Sequence, residues 1–444
     1  MRPLLSLLLA TAGATGLSAQ DLVLTNARIV DPAGGTMVEG DLWIADGVVA
    51  GVGTAPADAA GERLDLGGRW VIPALHDLHT HSSGNRAPGR VVENGGTRAT
   101  AVRVLRAGVT SFLDLFGAED DIFRVRAAQW HGDAPGAEIF AAGPCFTAPR
   151  GHCSEYGLRT RIIDTPDEAR RELRELARRK PDVVKLVYDH RPGMRPSVDR
   201  PTMEAFLSTA GDLGLKSVVH VGTWQDVRDV VLAGATAVTH VPLRDTVPAD
   251  LAALMAERGV YHIPALAAEY DLPDLLEHPE LVDSPLFQAM AGDALRAAYR
   301  RGAAGLSDGL RAWAERQRAN RETVLASVRR LYQAGVTLLT GTDGGETGVV
   351  QGYSVHREML HLVAAGLSPW DALRAATVSA GEFLGRPYGV RPGSQADLVV
   401  LDASPLDDIA NTQRIELVVM RGRVVVRGPA PQIPRVIADD GGTR

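Results

Sequence analysis

The chain has 444 residues, with 47 Lys and Arg against 54 Asp and Glu, a formal net charge of -7 and 45% hydrophobic residues. This is ordinary globular composition, long enough for one large domain and a smaller one. The mild charge and the absence of basic runs interleaved with aromatics argue against a nucleic-acid partner, and 2 cysteines are too few for a disulfide scaffold.

Residues 1–20, MRPLLSLLLATAGATGLSAQ, carry one basic residue, Arg2, then an apolar stretch and small residues at Ser18 and Ala19. The pattern is that of a secretory signal peptide. It falls short of the roughly twenty apolar residues that span a bilayer. The expected protein is therefore exported, periplasmic or extracellular, and free of the membrane after cleavage.

Residues 21–70 alternate short β-branched runs with Gly, Asp, Asn and Pro, as strands joined by tight turns do, and residues 388–430 have the same character. Between them, residues 71–387 alternate short apolar runs with longer helical patterns, which predicts βα units on a parallel sheet. The runs are VIPALHDLH, VTSFLDL, EIFAAGP, DVVKLVY, KSVVHV, ATAVTHV, GVYHIPAL and VTLLTGTD. Eight such units predict an α/β fold of the (β/α)8 TIM-barrel type. TPDE, Thr165 to Glu168, is a capping-box signature that starts an arginine-rich helix, read as a solvated face. Residues 267–334 form an insertion between the seventh and eighth runs. At the catalytic end of a barrel it would be a lid or substrate wall, and a self-association surface making a homo-oligomer is the alternative. Cys145 and Cys153 are close enough to pair in an oxidising compartment, though their spacing does not require it.

The chemistry gathers at strand ends. His79 and His81 lie two residues apart and so face one side of their strand. His220 ends the fifth run, His240 the sixth, and Asp343 the eighth, beside glycines. A lone strand-end histidine is more often a packed core residue than a ligand. Five nitrogen and oxygen donors at one barrel mouth instead suit zinc or a similar divalent ion.

Lys185, in DVVKLVYD, is one of only three lysines, with Lys180 and Lys216. An unpaired ammonium among apolar residues is disfavoured and tends to lose its proton. A neutral amine can take up carbon dioxide as a carbamate, a two-oxygen anionic ligand able to bridge two metals. A Schiff-base lysine and a lysine reaching the barrel rim are the alternatives.

IPALHDLHTH, the lone lysine of VVKLV, His220, His240, TGTDGG and the closing HREMLHLVAAGLSPWDALRAATVSAGEFLG and GVRPGSQADLVVLD together resemble the amidohydrolase superfamily. Within it they are similar to the imidazolonepropionase-like and prolidase-like group. The resemblance implies that His79, His81 and Asp343 hold one divalent ion and that His220 and His240 hold a second. N-carboxylated Lys185 and a hydroxide would bridge the two, with zinc the expected metal. It also implies that 21–70 and 388–430 pair as a small composite β-sandwich. FTAPRGHC, residues 146–153, resembles the family's Gly-His substrate loop, with Arg150 where a small residue is commoner and Cys153 where proline is commoner. His152 and Tyr188 are candidate substrate contacts, with core packing or loop anchoring the alternative for each.

The function implied is hydrolysis of an amide or dipeptide-like carbon–nitrogen bond in a small-molecule substrate. A metal-bridging hydroxide would attack, and Asp343 would act as general base and then general acid. One alternative is a mononuclear deaminase or a cyclic amidine or lactam hydrolase of the same superfamily. Such an enzyme has no need of Lys185, and some of these deaminases place a glutamate where HVGTW here has Trp224. The other alternative is a non-catalytic metal-binding scaffold.

Overall fold

The structure is a computed structural model that describes residues 21–88, 90–92, 94–301 and 306–428. The expected leader, residues 1–20, lies outside the described residues.

Both terminal regions contribute to one eight-stranded sheet. Leu22–Asp31 pairs antiparallel with Thr36–Ala45 and parallel with Trp70–Pro73. Trp70–Pro73 then pairs antiparallel with Leu398–Leu401, Pro73 opposite Leu398, and the sheet continues through Ile415–Met420 to Arg423–Arg427. The hairpin from Thr36–Ala45 to Val48–Gly53 turns on Asp46 and Gly47, whose φ values of 51° and 78° are those a tight two-residue turn demands. Period-two alternation divides the strands between two cores. Ile29, Val71, Leu398 and Val400 enter an apolar cluster belonging to this sheet, while their neighbours Val30, Ile72, Val399 and Leu401 pack into the main core.

The middle of the chain is α/β. Leu75–Thr80, Val109–Asp114 and Glu138–Ala141 pair in parallel. A second parallel set runs through Cys145–Thr147, Val183–Tyr188, Lys216–Val221, Ala237–Thr239 and Tyr261–Ile263. Helices such as Pro166–Ala177, Arg200–Asp212, Trp224–Leu232 and Ala249–Glu257 connect them. As TPDE predicts, Thr165 caps the first of these by accepting from the Glu168 N–H, with Pro166 in the first turn. One apolar layer takes a side chain from each expected strand: Leu78, Leu113, Phe140, Val183, Val218, Ala237, Ile263 and Leu339.

Two expected strands are irregular. The third divides into Glu138–Ala141 and Cys145–Thr147. The eighth forms isolated bridges, Leu338 with His262 and Gly344 with Thr80. Its backbone still bonds on both sides, Leu339 N–H to His262 O at 2.9 Å and Leu78 N–H to Thr340 O at 2.9 Å. Regular pairing stops because both Thr342 and Asp343 turn their N–H groups onto His79 O, at 3.0 and 2.7 Å. The insertion consists of the helices Leu266–Glu277, Pro285–Arg300 and Asp308–Gln333 with a short turn between the first two. Among the described residues no helix is long and apolar enough to cross a membrane.

Candidate active site

His79, Lys185 and His220 sit within strands, on Leu75–Thr80, Val183–Tyr188 and Lys216–Val221, His79 where the pairing with Val109–Asp114 shifts register between Asp77 and Thr80. His240 and Asp343 lie just past the ends of such segments, at φ values of 74° and 62°. Left-handed backbone at a residue with a side chain costs about 1–2 kcal/mol and persists only where the surroundings enforce it. Around His240 they do: its N–H donates to Ile263 O at 3.0 Å and its carbonyl faces His262 Nε2 at 2.9 Å. Around Asp343 the Asp77 carboxylate accepts from Thr342 N–H at 3.0 Å and from Thr342 Oγ1 at 2.7 Å. Burial pushes the Asp77 carboxyl up to about 7, against those hydrogen bonds.

The strand ends converge on one cavity of about 230 Å3, lined by His79, His81, Lys185, His220, His240 and Asp343. Asp343 Oδ1 lies 3.1 Å from His79 Nε2 and 2.7 Å from His81 Nε2, and its Oδ2 lies 3.9 Å from His240 Nε2. Lys185 Nζ is 3.5 Å from His79 Nε2, and the His220 and His240 rings are 4.4 Å apart. His79, His240 and Asp343 each offer one ligand atom, all within 4.8 Å of one another.

These donors fit a divalent metal by chemistry and by orientation. All are nitrogen or oxygen ligands of the kind zinc takes. Outer partners turn the imidazoles: His79 Nδ1 bonds Thr239 Oγ1 at 2.8 Å, leaving Nε2 toward Asp343, and His220 Nε2 lies 3.4 Å from Asp189 Oδ2, leaving Nδ1. Burial lowers His79 to about 4 and His220 to about 3, and it holds His240 well below its ordinary value. All three are therefore neutral at pH 7, as ligation requires. Burial alone would raise Asp343, but the adjacent His79 and His81 outweigh it and hold the carboxyl well below the usual range. Burial brings Lys185 down to about 7.

His152 reaches the same cavity, its Nδ1 2.8 Å from Glu155 Oε1 and its ring 4.9 Å from that of His220. Cys145 and Cys153 are joined in a disulfide, and Cys153 lines the cavity. Tyr188 does not reach it. Three residues after Lys185 is an odd separation, so its side chain leaves the opposite face of the strand and its hydroxyl donates to Asp229 Oδ2 at 3.3 Å. The expectation of Tyr188 as a substrate contact is corrected accordingly.

Several residues in and behind the cavity wall escape the sequence reading. Arg86 lies in the hairpin Asn85–Ala87 and Arg90–Val92, with its guanidinium 4.2 Å from the centre of the Tyr156 ring and its Nε 3.6 Å from Glu346. Tyr299, from the insertion, donates its hydroxyl to Arg86 O at 2.8 Å and accepts from Gly348 N–H at 2.6 Å. It thereby fastens two cavity loops to each other. Glu346, three residues beyond Asp343, had a signal in sequence proximity, whereas Arg86, Tyr156 and Tyr299 had none.

An α/β fold that gathers nitrogen and oxygen donors where its strands end fits a metal-assisted hydrolase. Residues 70–425 match the Amidohydrolase family, and the chain belongs to that family. Ochratoxinase of Aspergillus niger is 23% identical over 408 residues, covering 81% of this chain and 76% of that protein. Among solved structures, a Xaa-Pro dipeptidase with methionine bound in its active site superposes with a TM-score of 0.72 at 18% identity, over 91% of this chain and 99% of that one. The structure of A. niger ochratoxinase gives 0.70 at 20% identity, over 93% and 96%. The chain is thus a hydrolase acting on carbon–nitrogen bonds. The family is generally metal-dependent, and His79, His240 and Asp343 form a site able to take an ion.

Proposed function

We propose that the chain is an exported, metal-dependent amidohydrolase that cleaves an amide or dipeptide-like bond in a small molecule entering the His79–Asp343 cavity. The observation that carries this reading is the meeting of four histidines, Asp343 and a buried lysine around one cavity. We infer that the eight parallel segments close as a (β/α)8 barrel, which the apolar layer drawing on all eight supports. The shared terminal sheet supports a small composite β-sandwich built from residues 21–70 and 388–430.

In this reading His79, His81 and Asp343 would hold one divalent ion, and His220 and His240 would hold the other. Lys185, once its Nζ took up carbon dioxide with release of a proton, would offer a carboxylate to both ions, and zinc would suit the donor set. When bound, such ions activate water at neutral pH and polarise the substrate carbonyl. Asp343, hydrogen-bonded to His79 and His81, takes the proton from the attacking water and returns it to the leaving amine. Phe116, Leu158 and Val187 give the cavity an apolar side. Export is supported by the pattern of residues 1–20 and by the disulfide, which belongs in an oxidising compartment.

Metal analysis and intact mass test the centre. The expected result is close to two ions per chain and added carboxyl mass on Lys185, with Lys185→Ala losing both the mass and one ion. One ion that persists in Lys185→Ala would instead support the mononuclear alternative. Turnover of the metal-loaded protein on a library of dipeptides and N-acyl amino acids tests the reaction, and inactivity across amides, dipeptides and esters would favour the scaffold reading.

A further inference from the structure

Residues 145–155 carry features that a metal centre alone does not require. Cys145 lies opposite Lys185 in the ladder between their strands. Its disulfide to Cys153 closes the intervening loop, and both cysteines pack with Phe116 and Val187 against the cavity. The backbone is strained where the loop closes, with Arg150 at φ 61° and Cys153 at φ 84°. Only glycine fits between them at residue 151, since a Cβ there would collide with Thr147 Oγ1 and stand 2.9 Å from Ala148 O. The loop's own hydrogen bonds, such as Gly151 N–H to Ala148 O at 2.8 Å, shape its turns without tying it to the strands.

His152 sits between the cross-link and a carboxylate. Its neighbour Cys153 is covalently joined to Cys145. On the other side its Nδ1 meets Glu155 Oε1 at 2.8 Å, an oxygen that Arg195 Nε approaches to 3.3 Å. With Nδ1 engaged, Nε2 is the nitrogen left for a substrate.

We propose that the Cys145–Cys153 disulfide and Glu155 are positioning residues that fix His152 so that its Nε2 meets the scissile carbonyl oxygen, and that opening the disulfide lowers catalysis without unfolding the chain. The proposal rests on the amidohydrolase reading of the cavity. Cys153 lines the cavity while both cysteines are buried, so complete reduction is verified by intact mass.

The experiment uses the metal-loaded protein before and after treatment with a water-soluble phosphine. The phosphine supplies two electrons and leaves as its oxide with oxygen taken from water, and the Sγ–Sγ bond becomes two thiols. The expected result is a fall of about ten- to a hundredfold in kcat/KM, mostly in kcat, with metal content and circular dichroism unchanged and activity restored by reoxidation. Glu155→Gln tests the same geometry without thiol chemistry and is expected to lose a similar factor, part of which Glu155→Asp recovers. A Cys145→Ser, Cys153→Ser double variant is expected to be indifferent to phosphine.

A readout independent of turnover is the 15N spectrum of the labelled histidines. His152 is expected to show an Nδ1–H hydrogen-bonded to the Glu155 carboxylate in the oxidised protein and to lose that signature on reduction. Full activity and an unchanged spectrum after complete reduction would overturn the proposal. If no substrate is turned over yet the His152 signature collapses on reduction, the positioning of His152 stands and the activity reading falls.

Discussion

Asp343 concentrates the chemistry of the site in one side chain. It bonds two imidazoles and sits on left-handed backbone at φ 62°. Replacing it by asparagine keeps the shape and removes the proton acceptor. Asp343→Asn is expected to lower kcat by about 10²–10⁴-fold in a folded protein, measured by steady-state kinetics beside circular dichroism. A variant turning over near the wild-type rate would remove Asp343 from proton transfer. At this scale the sequence was readable where chemistry conflicts with context: a lysine inside an apolar strand, two histidines at period-two spacing, an aspartate beside glycines. It was misleading at Tyr188, where proximity to Lys185 in the chain hid the reversal of direction along a strand. It was silent at Arg86 and Tyr156, because loop residues follow no period from which their direction could be read.

The inserted helices act on the site at one remove. The Tyr299 hydroxyl joins the loop carrying Arg86 to the loop that follows Asp343. Tyr299→Phe keeps the ring packed against Phe287 and leaves the Gly348 N–H and the Arg86 carbonyl without that partner. The expected cost is about 1–3 kcal/mol of stability, with KM rising more than kcat falls, as thermal melts and substrate titrations would record. Unchanged KM and Tm would mean that the bridge is incidental. Two of the three helices of the insertion were legible as helical patterns, in LFQAMAGDALRAAYR and GLRAWAERQRANRETVLASVRRLY, but the first helix and the link to the cavity loops were not, since that link depends on one hydroxyl more than two hundred residues from the carbonyl it bonds. The irregular eighth segment was likewise hidden: VTLLTG reads as a strand, and only the donation of the successive Thr342, Asp343 and Gly344 N–H groups to His79 O shows where regular pairing ends.

For the molecule as a whole, a buried carboxyl couples the insertion to the core. Glu358, on the helix Tyr353–Ala364, accepts from the Ala267 N–H at 2.7 Å, and burial pushes its carboxyl up to about 8 from an ordinary 4.5. The folded chain keeps this proton over a range where the unfolded chain releases it. Its contribution is therefore fully present below pH 4.5 and is lost as pH rises toward 8. Glu358→Gln, which cannot ionise, is expected to gain stability over the wild type by about 1.4 kcal/mol per pH unit across that window, read from denaturant melts at several pH values. Parallel stability curves would show that Glu358 ionises normally in the fold.

The strand Trp70–Pro73 pairs with Leu398–Leu401, a segment made roughly three hundred residues later. At ordinary ribosomal speeds of 5–20 residues per second that is a wait of roughly 15–60 s. During it the early strands present an open edge, the kind of surface that templates pairing between chains. The newborn protein thus passes through a sticky interval before its last strands emerge, and a holdase that shields that edge would raise its yield without touching the finished enzyme.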